Sequence, residues 1–326
     1  MLLRIRIQNF LSFQKETSFD MLTDPKIEGL PHHISKDAPL PLLKQAAIYG
    51  ANGAGKSNLI KAFIFLKNWV TNPKCLEEIE VCDYSFRMTD EDTKPPICLE
   101  VEFLSHQKAY LYKVAISEES IEESLYLSGL GKSTDTLIFE RKDSKLLTHS
   151  LLNESAINEL LTANKKASLL VLHQGLGASY NPELKAAYEW FEQQLCIVKY
   201  PSDYTQLAKQ LTSDEKLFDF VEDIIQSCDL DIDAIEGQLH SRLLSALLQY
   251  YTDKTPQGQL IFTTHCTPLL DNPTLLRADE VWFAEKKEGA SFLYSLSDFK
   301  LGNSLPIATA YLQGRYGAVP SISSLS

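Results

Sequence analysis

The sequence is short of several things, and each shortage narrows the choices. Its six cysteines, Cys75, Cys82, Cys98, Cys196, Cys228 and Cys266, are scattered, with no C-x-x-C pair and no nearby histidine set of zinc-finger spacing. That argues against a disulfide scaffold or a structural zinc site and for reduced thiols. No uninterrupted apolar run approaches the roughly 18 residues that cross a bilayer. The opening Met1-Leu-Leu-Arg-Ile-Arg-Ile7 alternates charged with apolar residues where a signal segment would be continuously apolar, so a soluble, cytoplasmic chain with no membrane partner is expected. Excess positive charge is also missing: 31 basic against 43 acidic side chains give a net charge of −12. Generic polyanion attraction therefore cannot hold the whole protein on DNA, and nucleic-acid contact is left to a local basic patch. Repeats and low-complexity tracts are lacking. With 326 residues, 44% hydrophobic and 23% charged, the composition is that of an ordinary globular protein of about two domain-sized units, or one large α/β domain with an insertion.

The pattern along the chain reads as α/β. Leu3-Arg-Ile-Arg-Ile-Gln-Asn-Phe10 has period two, with Ile5 and Ile7 on one face and Arg4 and Arg6 on the other, which predicts a first strand. Residues 14–40 are polar and broken by Pro25, Pro31 and Pro39 and read as a long loop. Ala46-Ala-Ile-Tyr49 predicts a short strand, and Leu59, Ile60, Phe63, Ile64, Leu66 and Val70 recur at helical spacing from Ser57 onward. Ile97–Phe103 and Tyr110–Ile116 predict an antiparallel hairpin, Ile138–Arg141 another short strand, and residues 150–225 a mainly helical stretch with Pro182 near one helix start. A helix over 241–251 and strands at Leu260–Thr263, Glu280–Phe283 and Phe292–Tyr294 follow. The charge runs Glu118-Glu119, Glu122-Glu123 and Glu285–Glu288 read as solvated faces or turns, and Tyr110, Tyr112, Trp190 and Trp282 as core residues.

Chemistry concentrates in Gly50-Ala-Asn52-Gly53-Ala54-Gly55-Lys56-Ser57, a full match to G-x-x-x-x-G-K-[ST] between a predicted strand and a predicted helix. Glycines let backbone N–H groups curl round a phosphate, and the helix start adds its positive end. Lys56 is placed to reach the β- and γ-phosphates, and the Ser57 hydroxyl to ligate Mg²⁺. The cofactors implied are ATP and Mg²⁺.

The finer pattern, extended to Asn58 and joined to Asn9-Phe-Leu-Ser-Phe13, resembles the ABC-type ATPases that include the SMC and RecF proteins. That resemblance implies an ABC-like P-loop head with a mixed sheet, an antiparallel β-subdomain and a helical insertion, working as a nucleotide-sandwich homodimer. Leu260-Ile-Phe-Thr-Thr-His265 looks like the family's switch loop, whose histidine senses the γ-phosphate. Asp271 stands either for the acidic residue that follows that switch or for a helix cap. A closer resemblance is to the ABC-like AAA family ATPases of bacterial anti-phage systems, including those of the PARIS and Septu kinds. It covers most of the chain: Met1 to Phe13, Ala46 to Lys67, Phe86-Arg87, Leu137–Arg141, Glu189-Trp-Phe191, and from Leu239-His240 through Asp279–Phe283 to Tyr311–Pro320. It implies a separate effector, a nuclease, since the chain has no nuclease constellation of its own. Gly314, Arg315 and Gly317 would then serve a partner contact or a tight turn.

Two of the family's parts are not intact. Leu127-Ser-Gly-Leu-Gly131 is out of place for a signature loop and reads as a plain loop. Ile232-Asp-Ala-Ile-Glu-Gly-Gln-Leu-His240 resembles the end of a Walker B strand, which would make Asp233 a Mg²⁺-holding residue and put Ala234 where a catalytic carboxylate belongs. The residues before it, Ser227-Cys-Asp-Leu-Asp231, do not form a central strand. Two separated parts of the family pattern meet between about 229 and 239, so a segment carrying an arm and the signature loop is expected to be absent there, and Ala234 and Glu236 belong to neither side. The expected units are 1–145, the P-loop lobe with its β-subdomain; 146–235, helical and interrupted; and 236–326, the rest of the core with His265. Two other functions stay open: a RecF/SMC-like DNA-maintenance ATPase, and a scaffold that binds ATP without hydrolysing it.

Overall fold

A computed structural model describes residues 1–36, 38–87, 95–151, 154–176, 181–198, 241–254, 258–300 and 305–319. In chain order the strands are β1 (Leu2–Gln8), β2 (Thr17–Asp20), β3 (Ile34–Ser35), β4 (Leu42–Leu43), β5 (Gln45–Tyr49), β6 (Ile97–Ser105), β7 (Lys108–Ile116), β8 (Ile121–Leu127), β9 (Thr136–Lys142), β10 (Lys145–His149), β11 (Leu260–Thr263), β12 (Val281–Lys287) and β13 (Ala290–Ser295). The helices are α1 (Lys56–Thr71), the single turns α2 (Cys75–Glu78) and α3 (Val81–Tyr84), α4 (Glu154–Ala163), α5 (Leu169–His173), α6 (Pro182–Glu189), α7 (Ser241–Lys254) and α8 (Ile307–Leu312). Among the described residues no helix is long and apolar enough to cross a membrane.

The strands form a seven-stranded antiparallel sheet, ordered β10-β9-β8-β7-β6-β1-β2, and a four-stranded mixed sheet, ordered β11-β5-β12-β13. The expected α/β architecture, a mixed sheet with an antiparallel β-subdomain and a helical region, is what the chain builds. β11, β5 and β12 run parallel and β13 returns antiparallel. All five residues of β5 are buried, as a parallel strand covered on both faces must be. Its alternating side chains divide two cores. Ala46 and Ile48 face the larger one, with Leu59, Phe63, Leu66 and Trp69 of α1; Ala47 and Tyr49 face a second, with Leu269, Phe283, Tyr311 and Tyr316. β12 repeats the division, with Trp282 and Ala284 on one side and Val281 and Phe283 on the other.

Two readings of the sequence need correction. The stretch 14–40 is not all loop: Thr17–Asp20 pairs with β1, setting Phe19 opposite Ile5 and Thr17 opposite Ile7. The prolines that suggested a loop all lie beyond this strand, and its buried Thr17 and Phe19 alternate with partly exposed Ser18 and Asp20. Nor is Glu122-Glu123 a solvated pair. Both lie in β8, so they point to opposite faces; Glu122 is exposed and Glu123 is buried. The 97–116 hairpin forms as expected, and its two-residue turn places His106 and Gln107 at φ 47° and 63°, the left-handed pair that matches strand twist. Tyr110, Tyr112, Trp190 and Trp282 are core residues as expected. The expected helices of 150–225 are seen as α4, α5 and α6, the last with Pro182 in its first turn; residues 199–225 lie outside the described residues.

Glu123 anchors a buried polar centre. Its carboxylate accepts hydrogen bonds from Arg141 Nε at 2.6 Å, the Tyr112 hydroxyl at 2.7 Å, the Ser168 hydroxyl at 2.6 Å and the Leu169 N–H at 3.0 Å. Arg141 also donates to the Ala167 and Asp143 carbonyls, at 2.8 and 2.6 Å, and Trp69 Nε1 donates to the Tyr112 hydroxyl at 2.7 Å. The centre thereby joins α1, the β-subdomain and α5. A second buried set fixes the start of β12: His33 Nδ1 donates to Glu280 at 2.9 Å, and Arg277 binds Asp279 through Nε and a terminal nitrogen at 2.9 and 2.8 Å.

Candidate functional site

β5 ends at Tyr49 and delivers the chain into the loop Gly50–Gly55, and α1 starts at Lys56. Three glycines give this loop its shape, with φ of 150°, 78° and 110° at Gly50, Gly53 and Gly55. At Gly50 a Cβ would overlap the Ala284 carbonyl of β12, and at Gly55 it would overlap the Ser291 side chain of β13. These two glycines let the loop lie against the sheet. Gly53, by contrast, faces open space, and Asn52, Gly53 and Ser57 are exposed while Ala54 and Lys56 are buried.

Among the described residues, no acceptor takes the N–H groups of Asn52, Gly53, Gly55, Lys56 or Ser57. Their combined effect is a concentration of unspent donors at the start of a 16-residue helix. Lys56 Nζ turns back onto the loop and donates to the Gly50 and Ala51 carbonyls at 2.7 and 2.9 Å. Burial holds this ammonium below the ordinary lysine range. With carbonyl acceptors as its hydrogen-bond partners, the cation keeps its full charge for an incoming anion. This arrangement fits a polyphosphate.

His265 arrives from the neighbouring strand. β11 pairs in parallel with β5, with Thr263 opposite Ile48, and the Thr264 N–H donates to the Ile48 carbonyl at 3.1 Å. Two parallel strands release their next residues at the same sheet edge, so the exposed His265 emerges beside the loop. Burial, then the Lys56 charge, lowers its pKa. The imidazole is therefore neutral at pH 7 and able to donate or accept a hydrogen bond.

Asn58 is tied rather than free. Its Nδ2 donates to the Ser12 hydroxyl at 2.7 Å, and the Ser291 hydroxyl donates to the same oxygen at 2.7 Å. Ser12 sits on the Asn9–Phe13 element, a tight turn in which Phe10 and Phe13 exchange backbone hydrogen bonds at 2.8 and 2.9 Å. Asp271 resolves toward the capping role, since its Oδ1 accepts the Ala308 N–H at 2.8 Å in the first turn of α8. Gly314, Arg315 and Gly317 form a tight turn closed by the Gly314 N–H to the Tyr311 carbonyl at 2.8 Å and the Arg315 N–H to the Ala310 carbonyl at 3.0 Å. Leu127–Gly131 is a loop following β8, as expected. Asp233, Ala234, Glu236 and the 229–239 junction lie outside the described residues.

For Mg²⁺, the described residues offer the exposed Ser57 hydroxyl and no group of three or more His, Cys, Asp or Glu side chains. That suits an ion which keeps several waters and binds through one or two protein groups plus substrate phosphates. The structure adds Ser12, Ser291, Tyr49 and Tyr311 to the residues around the loop. None had a sequence signal beyond the Asn-Phe-x-Ser-Phe element that contains Ser12 and the Tyr311–Pro320 stretch, because their contacts span up to 279 positions.

No curated protein matches the chain. Among solved structures, the SMC head domain from Thermotoga maritima aligns with 92% of this chain and 99% of that one, at 14% identity and a TM-score of 0.36. Residues 46–227, more than half of the chain and inclusive of the loop and α1, match the family described as "AAA domain, putative AbiEii toxin, Type IV TA system", and the chain belongs to that family.

Proposed function

We propose that the protein is an ATP-binding and ATP-hydrolysing ABC-like subunit of a bacterial anti-phage system, whose nucleotide state controls a separate effector, a nuclease, through assembly of its heads into homodimers. One observation carries the nucleotide part: an open loop with unspent backbone donors, a buried lysine and a neutral histidine all meet at one edge of a parallel sheet. The wording of the family description, "putative AbiEii toxin, Type IV TA system", is what supports the defence setting.

In this reading the loop amides and Lys56 hold the phosphates, and Mg²⁺, when bound, neutralises phosphate charge beside Ser57. Lys56 leaves the Gly50 and Ala51 carbonyls for the phosphates. His265 offers a hydrogen bond at the phosphate end and registers whether a partner is there. Asp233 is assigned to the metal by its resemblance alone. The test is titration calorimetry with Mg·ATP on the full chain and on Lys56→Ala, followed by phosphate release. Binding that survives unchanged in Lys56→Ala removes the assignment. Tight binding with no phosphate release, alone or at concentrations that favour dimers, turns the reading to the ATP-sensing scaffold suggested by Ala234. Turnover stimulated by DNA would turn it to a DNA-maintenance ATPase, a reading the net charge of −12 disfavours.

A further inference from the structure

We propose that Ser12, on the turn that follows β1, is a further nucleotide-binding residue, whose hydroxyl donates a hydrogen bond to the phosphate chain at the start of α1. This deepens the nucleotide reading and rests on it.

Ser12 Oγ lies against the phosphate loop. A Cβ built on Gly55 would come within 3.1 Å of it. The half-buried hydroxyl therefore sits beside the residue whose N–H, with those of Lys56 and Ser57, has no acceptor among the described residues.

The bonds this oxygen makes decide what it still has to give. A serine hydroxyl has two acceptor lone pairs and one proton. Both lone pairs are taken, since Asn58 Nδ2 and the Ser291 hydroxyl each donate to Ser12 Oγ at 2.7 Å. Tetrahedral geometry leaves the proton directed away from both donors, and no described residue accepts it. A hydroxyl that only braced the loop would be expected to spend its proton as well, as the Ser168 hydroxyl does on Glu123. Ser12 instead adds a neutral donor to the amides and the lysine that wait for an anion.

The turn that carries Ser12 is fixed before any ligand arrives. The Leu11 N–H donates to the Tyr84 carbonyl at 2.6 Å, and Asn9 Nδ2 to the Pro95 carbonyl at 2.6 Å. Asn9 and Leu11 are held at φ of 51° and 50°, a left-handed conformation uncommon for residues with side chains. Such backbone persists where its surroundings over-determine it. The Ser12 carbonyl accepts the Ser291 N–H at 2.7 Å, so backbone and side chain of this one residue are both tied to β13. A donor placed in advance has no ordering cost left when the ligand binds.

The test uses the full chain with two calorimetric ligands, Mg·ATP and magnesium triphosphate, the second carrying the phosphates without sugar or base. Ser12→Ala should weaken both about 10- to 100-fold, the range of a hydrogen bond to a charged acceptor. Ser291→Ala cuts the brace on Ser12 but leaves its proton, and should weaken both by about 3-fold at most. Equal losses in Ser12→Ala and Ser291→Ala would mean that the serine only braces the loop, and overturn the proposal. So does a loss in Ser12→Ala confined to Mg·ATP, which puts the hydroxyl on the sugar or base. Wild-type affinity in Ser12→Ala while Lys56→Ala loses binding also overturns it, and leaves the nucleotide reading standing. Equal binding in wild type and Lys56→Ala, or none in either, overturns both. Thermal midpoints of the free proteins report folding. Should Ser12→Ala melt earlier than Ser291→Ala, Ser12→Cys, which fills the same place with a weak donor, must show the same loss of affinity.

Discussion

The phosphate loop and the Glu123 centre are both polar, both built around a cation, and opposite in how they spend their hydrogen bonds. Around Glu123 each donor has an acceptor: Arg141, Tyr112, Ser168 and the Leu169 amide converge on one carboxylate with no solvent exposure of the ion pair. At the loop, five backbone N–H groups have no acceptor among the described residues, and the buried lysine has the Gly50 and Ala51 carbonyls as its partners. A saturated centre can only hold the structure together, whereas an unsaturated one can bind something.

The comparison breaks most visibly if Glu123 is removed. Glu123→Ala leaves Arg141 buried without its counter-ion and should destabilise the fold by about 3–5 kcal/mol, read as a shift of the urea midpoint with nucleotide absent. A loss below about 1 kcal/mol would mean water reaches the centre and the closed-network description is wrong. Lys56→Ala should do the reverse. It should cut Mg·ATP affinity about 100-fold or more, as loss of a charge-assisted phosphate contact of about 3 kcal/mol implies, and lower stability by no more than about 1–2 kcal/mol, the range of its hydrogen bonds to the Gly50 and Ala51 carbonyls.

Acid sharpens the contrast. His173 is buried with both ring nitrogens lacking a partner, and burial lowers its pKa. Above the ordinary histidine value it is neutral in folded and unfolded chains alike and contributes nothing. As pH falls through that value the unfolded chain takes up the proton first, so stability falls toward pH 5. Glu280, whose carboxyl burial pushes up, works in the opposite sense. The informative quantity is therefore the difference between wild type and His173→Leu, whose urea midpoint should decline less from pH 7.5 to pH 5. Parallel declines would remove His173 from the account. The smallest effect belongs to Glu122→Ala. The Glu122–Lys142 pair, at 2.7 Å, lies on the same two strands as Glu123–Arg141 but on the solvent face. Its removal should leave the midpoint unmoved, and a measurable loss would show that exposure does not separate the two pairs.

That one-residue step between Glu122 and Glu123 also explains why the sequence misled there. Two adjacent glutamates look alike until the partner strand is known, and β9 supplies Lys142 to one and Arg141 to the other. β2 was hidden for a related reason. Its residues Thr17-Ser-Phe-Asp20 include a single large apolar side chain, so their own spacing does not mark a strand, and its existence depends on β1 lying alongside. By contrast β1, β5 and α1 were legible because their burial pattern is written in local spacing, and β11 because Leu260-Ile-Phe262 is a short apolar run.

The sequence by itself determined the phosphate loop, since glycine at three positions and Lys56 at the helix start impose that geometry through local sterics and charge alone. It also marked Ala46–Tyr49 as a short apolar strand and Leu260–Thr263 as a strand, although that strand stops two residues short of His265. The tertiary structure alone decided that His265 emerges beside the loop, that Ser12 and Ser291 meet over Gly55, and that Tyr311 packs edge-on to Tyr49 at the loop's start. Each of these joins residues more than 200 positions apart, and no local preference of the chain can specify a neighbour that only strand order and packing bring within hydrogen-bond distance.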